Sequence, residues 1–159
     1  MAEDNGLPRF ENLDQVVDYC QILVEDGYTA NGQWNLSQTC GHLANWMSYP
    51  MDGFPKAPFP VAIMLWLMKI TIGRSSLKKI LAEGFKPGGP TSPASVPGPS
   101  DHSDSDAAVE LATTIDRFRA HNGAFIPSPL FGDMDRERLT QLQLRHCEHH
   151  LGYLKPKTA

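Results

Sequence analysis

Alternating strand patterns are scarce in this 159-residue chain. So are paired cysteines, an excess of positive charge and long apolar runs. Cys20, Cys40 and Cys147 are odd in number and form no CxxC pair, which argues against a disulfide framework and for a reducing compartment. A net charge of −4 and a pI near 5.8 argue against a chain-wide basic footprint for nucleic acid. The most apolar run, Val61 to Met68, is broken by Lys69 and falls short of the roughly 20 residues that a spanning helix needs. Met1 to Gly6 has neither the basic start nor the apolar stretch of a signal peptide. The expectation is a cytoplasmic protein without a membrane span, with residues 1–159 forming one domain around one core.

What is present reads as helix. Asn12-Leu13-Asp14-Gln15 and Asn35-Leu36-Ser37-Gln38 both have the form of capping boxes. After the first, Leu13, Val16, Val17, Cys20, Leu23 and Val24 recur at three- and four-residue spacing, the mark of a buried face, and Asp26-Gly27 supplies the stop. The second box opens a helix with Leu36, Cys40, Leu43, Trp46 and Met47 on its apolar face, expected to end at Pro50. A loop over Met51 to Phe59 follows, then two short helices with a break at Gly73. Gly84 to Ser100 holds five prolines and four glycines and reads as an extended connection within residues 84–104. Ala108, Leu111, Ala112, Ile115 and Phe118 mark a third main helix, and Asp135 caps a last one expected to reach about Tyr153 or Leu154. The expected fold is all-α: a four-helix bundle with a long Pro/Gly-rich crossover between its second and third main helices and short extra helices before it. Charge is uneven along it. Between Pro60 and Lys86, five basic residues (Lys69, Arg74, Lys78, Lys79, Lys86) stand against Glu83, so this segment is net +4 and the remainder −8.

The last helix carries an anomaly. At about 100° per residue, His146, His149 and His150 share a stripe with Leu139, Leu142 and Tyr153, while Gln141, Arg145 and Glu148 fall opposite. Cys147 projects away from the stripe's centre. A buried stripe that is polar at its centre needs partners. His146 and His150, four residues apart, can converge two imidazoles on one ion, and His149 at the stripe's edge could replace either. Two ligands are too few, and His42, on the flank of helix two, is the candidate third. The plainer readings are a hydrogen-bonded core histidine for His42 and, for the last-helix cluster, an exposed patch or a metal-free network. His102 and His121 read as solvated, and Cys20 and Cys40 as small buried apolar residues rather than catalytic thiols.

The run from Trp34 through Gln38, His42 and Leu43 to Ala44 resembles the helix-two signature of the DinB/YfiT-like superfamily. Phe131-Gly132, followed by His146-Cys147-Glu148-His149-His150-Leu151, resembles its last-helix HxxxH element. The resemblance runs from about Phe10 to Leu154 and is nearest to an uncharacterised branch, a domain of unknown function. It implies a four-helix bundle with one metal ion held by three histidines, here His42, His146 and His150. The chain departs from the pattern after the last histidine, where Leu151-Gly152-Tyr153 replaces Arg-Gly-Gln. By this resemblance the cofactors are a divalent ion (Zn, Ni or Fe) with open positions and a low-molecular-weight thiol. The activity it implies is a thiol S-transferase on a small-molecule substrate. Gln38, one turn before His42, and Tyr153, near His149 and His150, read either as support for the ligands or as ordinary packing residues. A metal-dependent hydrolase is the second reading, weakened because Glu148 falls opposite the stripe. The third is a non-enzymatic, stress-associated binding protein in which Trp66, Lys69, Arg74, Lys78 and Lys79 form a partner or membrane-surface patch. Those basic residues also read simply as the wet face of a short helix. Apolar residues around Val61 to Ile72 leave a homodimer open.

Overall fold

Side-chain caps set where the main helices begin. Asn12 Oδ1 accepts from the Gln15 amide at 3.1 Å, opening α1 (Leu13–Asp26). Asn35 and Gln38 close a reciprocal box at the start of α2 (Leu36–Asp52). Ser103 caps α5 (Asp104–Ala120), and Asp135 caps α6 (Arg136–Leu151). Between α2 and α5 lie α3 (Phe59–Met68) and α4 (Arg74–Glu83), joined by a π-helical turn over Lys69–Gly73. These bounds come from a computed structural model, which describes residues 6–88 and 96–157. The chain is mostly helical.

Three local expectations are corrected. Pro50 does not end helix two, which runs on to Asp52 before Gly53 at φ 118°. Proline removes one amide, so the Trp46 carbonyl loses its helical donor, and the Gln143 side chain of α6 donates to it instead at 3.3 Å. Nor does Gly73 break the helix. The backbone stays helical from Phe59 to Glu83, and the extra residue is absorbed as a π turn. Gly73 serves close approach, since a Cβ there would lie 2.5 Å from the Leu130 carbonyl oxygen. Finally, α6 stops at Leu151, short of Tyr153. The chain then forms β2 (Leu154–Pro156), antiparallel to β1 (Tyr28–Ala30) with Ala30 opposite Leu154 and Tyr28 opposite Pro156. Three-residue strands carry too little periodicity to announce themselves.

The apolar core is drawn from α1, α2, α5 and α6, with Phe10 and Leu154 from the flanking segments. Val16, Leu36, Met47, Ile115, Phe118 and Leu151 are fully or almost fully removed from solvent. α2 lies along α5, and Asp104 at the start of α5 ties the two together. One carboxylate oxygen accepts from the Ser37 amide, and the other accepts from Tyr28 Oη, which itself accepts from the Leu36 amide. Two free amides at the α2 N-terminus are thereby satisfied. Residues 84–88 and 96–103 form no helix or strand, as their prolines and glycines imply. The rest of the expected crossover, residues 89–95, lies outside the described residues. No described helix is long and apolar enough to cross a membrane.

Candidate metal centre

The α2–α6 seam brings the sequence-distant histidines together. His42 sits mid-way along α2, and His146 and His150 occupy successive turns of α6. The bond from Gln143 to the Trp46 carbonyl lies one turn from both His42 and His146, so it sets the register of the two helices beside the cluster. His42 Nε2 and His146 Nε2 are 3.2 Å apart. One nitrogen from each of His42, His146 and His150 lies within 4.8 Å of the others. Two imidazole nitrogens on one tetrahedral zinc ion are about 3.3 Å apart, given Zn–N bonds near 2.0–2.1 Å. The closest pair already has that separation, so these residues are compatible with a divalent metal ion.

The surroundings favour the neutral rings a metal requires. Burial, and then the neighbouring His150, His42 and His149, hold His146 well below the ordinary histidine range. Burial, with His42 and His149 adding to it, brings His150 down to about 3. His149 is lowered by burial alone. Aromatic rings supply much of the desolvation. Trp34 stacks on His150 at 5.1 Å with 13° between planes and tilts against His42 at 5.0 Å. Trp46 and Phe85 meet His146 at 5.4 and 5.6 Å. The small sheet places Trp34: after β1, the Asn31 amide donates to the Tyr153 carbonyl at 2.8 Å, and the chain turns over the end of α6 into Trp34. Trp34 and Phe85 carried no role in the sequence beyond the motif match for Trp34. Their function as ring walls depends on the sheet and on the end of α4.

The buried face of α6 is rotated by roughly 100° from the expected stripe. It comprises Leu139, Gln143, Leu144, His146, Cys147, Glu148 and Leu151, and Cys147 is fully buried. His146 is buried at the edge of that face, while His149, His150 and Tyr153 are half-buried. Leu139, Leu144, Cys147 and Leu151 join the core shared with α1, α2 and α5, and the segment before α1 covers the Glu148 side that the projection left wet. Glu148, read as facing away, is 3% exposed and accepts from the Phe10 amide at 3.0 Å and from Arg145 at 2.8 Å, with Arg9 at 3.3 Å. Gly152 lets Leu7 and Pro8 approach, since a Cβ there would clash with Leu7.

His149 stands beside the cluster, with its ring 4.8 Å from that of His150. It also touches Phe85 and Tyr153 and borders a cavity of about 390 Å³ that includes Arg9, Arg145 and Glu148. A second cavity, about 460 Å³, opens on the His42 side between α2 and residues 96–102. Gln38 serves the α2 cap and donates to the Gly98 carbonyl. His102 is exposed, and His121 rests half-buried on Phe125. Cys20 and Cys40 are buried with their sulfurs 3.9 Å apart; that hydrogen bond and then burial push the Cys40 thiol strongly up. Burial does the same to Cys147. The Cys40 and Cys147 thiols therefore stay protonated and unreactive. Trp46 Nε1 is buried without a hydrogen-bond partner among the described residues, a donor left free at the histidine cluster.

A family model described as "Protein of unknown function (DUF1569)" matches residues 2–157. No curated protein matches the chain, and no solved structure does.

Proposed function

The chain belongs to the DUF1569 family of proteins of unknown function, and from that premise we propose that it is a metal-dependent enzyme centred on His42, His146 and His150. The observation that carries the reading is the convergence of three imidazoles from two helices, His42 and His146 being 104 residues apart in sequence, in a site that disfavours protonation of His146 and His150. The likeness to DinB/YfiT-like proteins supports it, and with it the reading of the whole chain as a single four-helix bundle domain with a long crossover. His149 is then a substitute ligand rather than a primary one: it packs edge-on against His150 and Tyr153 and tilted against Phe85, outside the group of three converging nitrogens.

A divalent ion (Zn, Ni or Fe) on three neutral imidazoles keeps an open position and favours thiolate over thiol at neutral pH. The reaction we assign is attack by the sulfur of a low-molecular-weight thiol on an electrophilic carbon of a small substrate. A carbon–sulfur bond forms, the bond to the leaving group breaks with its electron pair, and the thiol's proton is released. In this scheme Trp34 and Phe85 exclude water from the rings and fix their planes. Hydrolysis is less well supported, because Glu148, the acid nearest in sequence to the ligands, is occupied by Arg145, Arg9 and the Phe10 amide.

The test is elemental analysis of untagged protein, which is expected to contain one divalent ion per chain and to lose it when His146 and His150 are both changed to Ala. Unchanged metal content in that variant would sink the site. Turnover of an electrophilic dye with one member of a thiol panel is expected of the metal-loaded protein. No turnover with any thiol, in protein that does hold metal, would reject the transferase and keep the centre.

A further inference from the structure

The most apolar helix of the chain is also its most exposed. α3 has no buried residue. Phe59 is 79% exposed, and Ile63, Met64, Trp66, Leu67 and, in the π turn, Ile70 lie between 44% and 56%. At about 100° per residue these six side chains fall within an arc of roughly 160°, one broad apolar face of the helix. The π turn that follows is the element α3 mainly touches. A helix that is apolar all round ordinarily lies in a protein core or in lipid, and α3 is in neither. Scattered surface apolar residues need no explanation, but a contiguous helix of them marks an interaction surface.

Charge identifies the partner. Residues 53–82 contain Lys56, Lys69, Arg74, Lys78 and Lys79 and no acidic residue, so this stretch is +5 in a chain of net −4. Lys56 and Lys69 flank the apolar helix at its two ends. Among the described residues only Lys79 has a carboxylate partner, Glu83 at 4.0 Å. A second copy of this chain meeting the first through the same face would bring like charge against like charge. An anionic bilayer surface offers the opposite charge, and its acyl boundary accepts an apolar helix lying in the plane.

We propose that α3 is an interfacial anchor that docks the protein reversibly on anionic lipid surfaces, with Phe59 to Ile70 entering the acyl boundary and the five cations facing the headgroups. This does not depend on the metal reading. The test is co-sedimentation of the full-length protein with vesicles of phosphatidylcholine alone or mixed with phosphatidylserine. Binding is expected to the mixed vesicles only and to weaken as salt is raised. Changing Lys56→Gln and Lys69→Gln should lower partitioning about fivefold per cation. The variant Ile63→Gln/Trp66→Gln/Ile70→Gln should abolish it with helicity and metal content unchanged, which separates loss of anchoring from loss of fold. Tryptophan emission should shift to the blue on binding, and Trp66→Phe should remove that shift while sedimentation persists. Absence of sedimentation with the mixed vesicles overturns the proposal, as does binding that survives the triple Gln substitution. A stable dimer that the triple substitution dissociates, in protein that ignores vesicles, overturns it in favour of a second copy.

Discussion

α6 and α3 invert the usual relation between hydropathy and burial. α6 is polar on average, yet it buries Gln143, His146 and Glu148. α3 is apolar throughout and buries nothing. The difference lies in what each helix has beside it. Every buried polar group named on α6 meets a partner: the Trp46 carbonyl for Gln143, His42 for His146, and Arg145 with the Phe10 amide for Glu148. Polar groups can be buried when each is answered, and apolar ones stay exposed when no neighbour reaches them.

The contrast breaks at its strongest point if the histidines are removed. His146→Ala with His150→Ala is expected to abolish bound metal in elemental analysis and to leave the helical circular dichroism in place. Next in size is Glu148→Ala, which strands the Arg145 guanidinium and the Phe10 amide. Allowing for the partial exposure of Arg145 and Arg9, it should cost about 2–3 kcal/mol, read as a lower urea midpoint. The metal-free protein should also lose stability in acid. In the folded chain His146 binds its proton only well below 6.5, whereas in the unfolded chain it binds near 6.5, so below that pH unfolding takes up a proton. The stability is present above about pH 6.5 and declines as the pH falls toward the folded pKa, by about 1.4 kcal/mol per pH unit for each histidine kept neutral. Denaturation curves of chelator-treated protein between pH 7 and 5 measure the slope, and a flat profile would mean the rings are solvated. Gln143→Leu leaves the Trp46 carbonyl without its donor and should cost about 1–2 kcal/mol, with weaker metal retention in a chelator competition. The smallest effect sharpens the other side of the comparison. Leu67→Gln on α3 should move the urea midpoint by less than about 0.5 kcal/mol, whereas Leu144→Ala on α6, 8% exposed, should cost 2 kcal/mol or more, on the order expected of a core truncation.

Much of this was readable along the chain because it depends on neighbours three or four residues apart. The cap at Asn12, the box at Asn35, the cap at Asp135 and the i,i+4 pair His146–His150 are local, and each appears where its spacing placed it. The box expected at Asn12 is only half made, because Gln15 accepts from the Glu11 amide instead of the Asn12 amide. What escaped the sequence depends on contacts across the fold. The burial of Glu148 on α6 required the segment around Phe10 to cover it, a bond spanning 138 residues. The continuation of α2 past Pro50 required a donor from α6 for the carbonyl that proline leaves bare. The register of β1 with β2, which carries Trp34 over His150, has too few residues to leave a pattern.

By itself the sequence determined the helices, their starting points and the residue types able to hold a metal ion, because capping and helical periodicity are short-range physics. Tertiary structure alone decided that His42 lies 3.2 Å from His146, which side of α6 is dry, and that α3 stands uncovered. Those outcomes turn on how helices far apart in the chain satisfy one another's free polar groups, and no local window contains both partners.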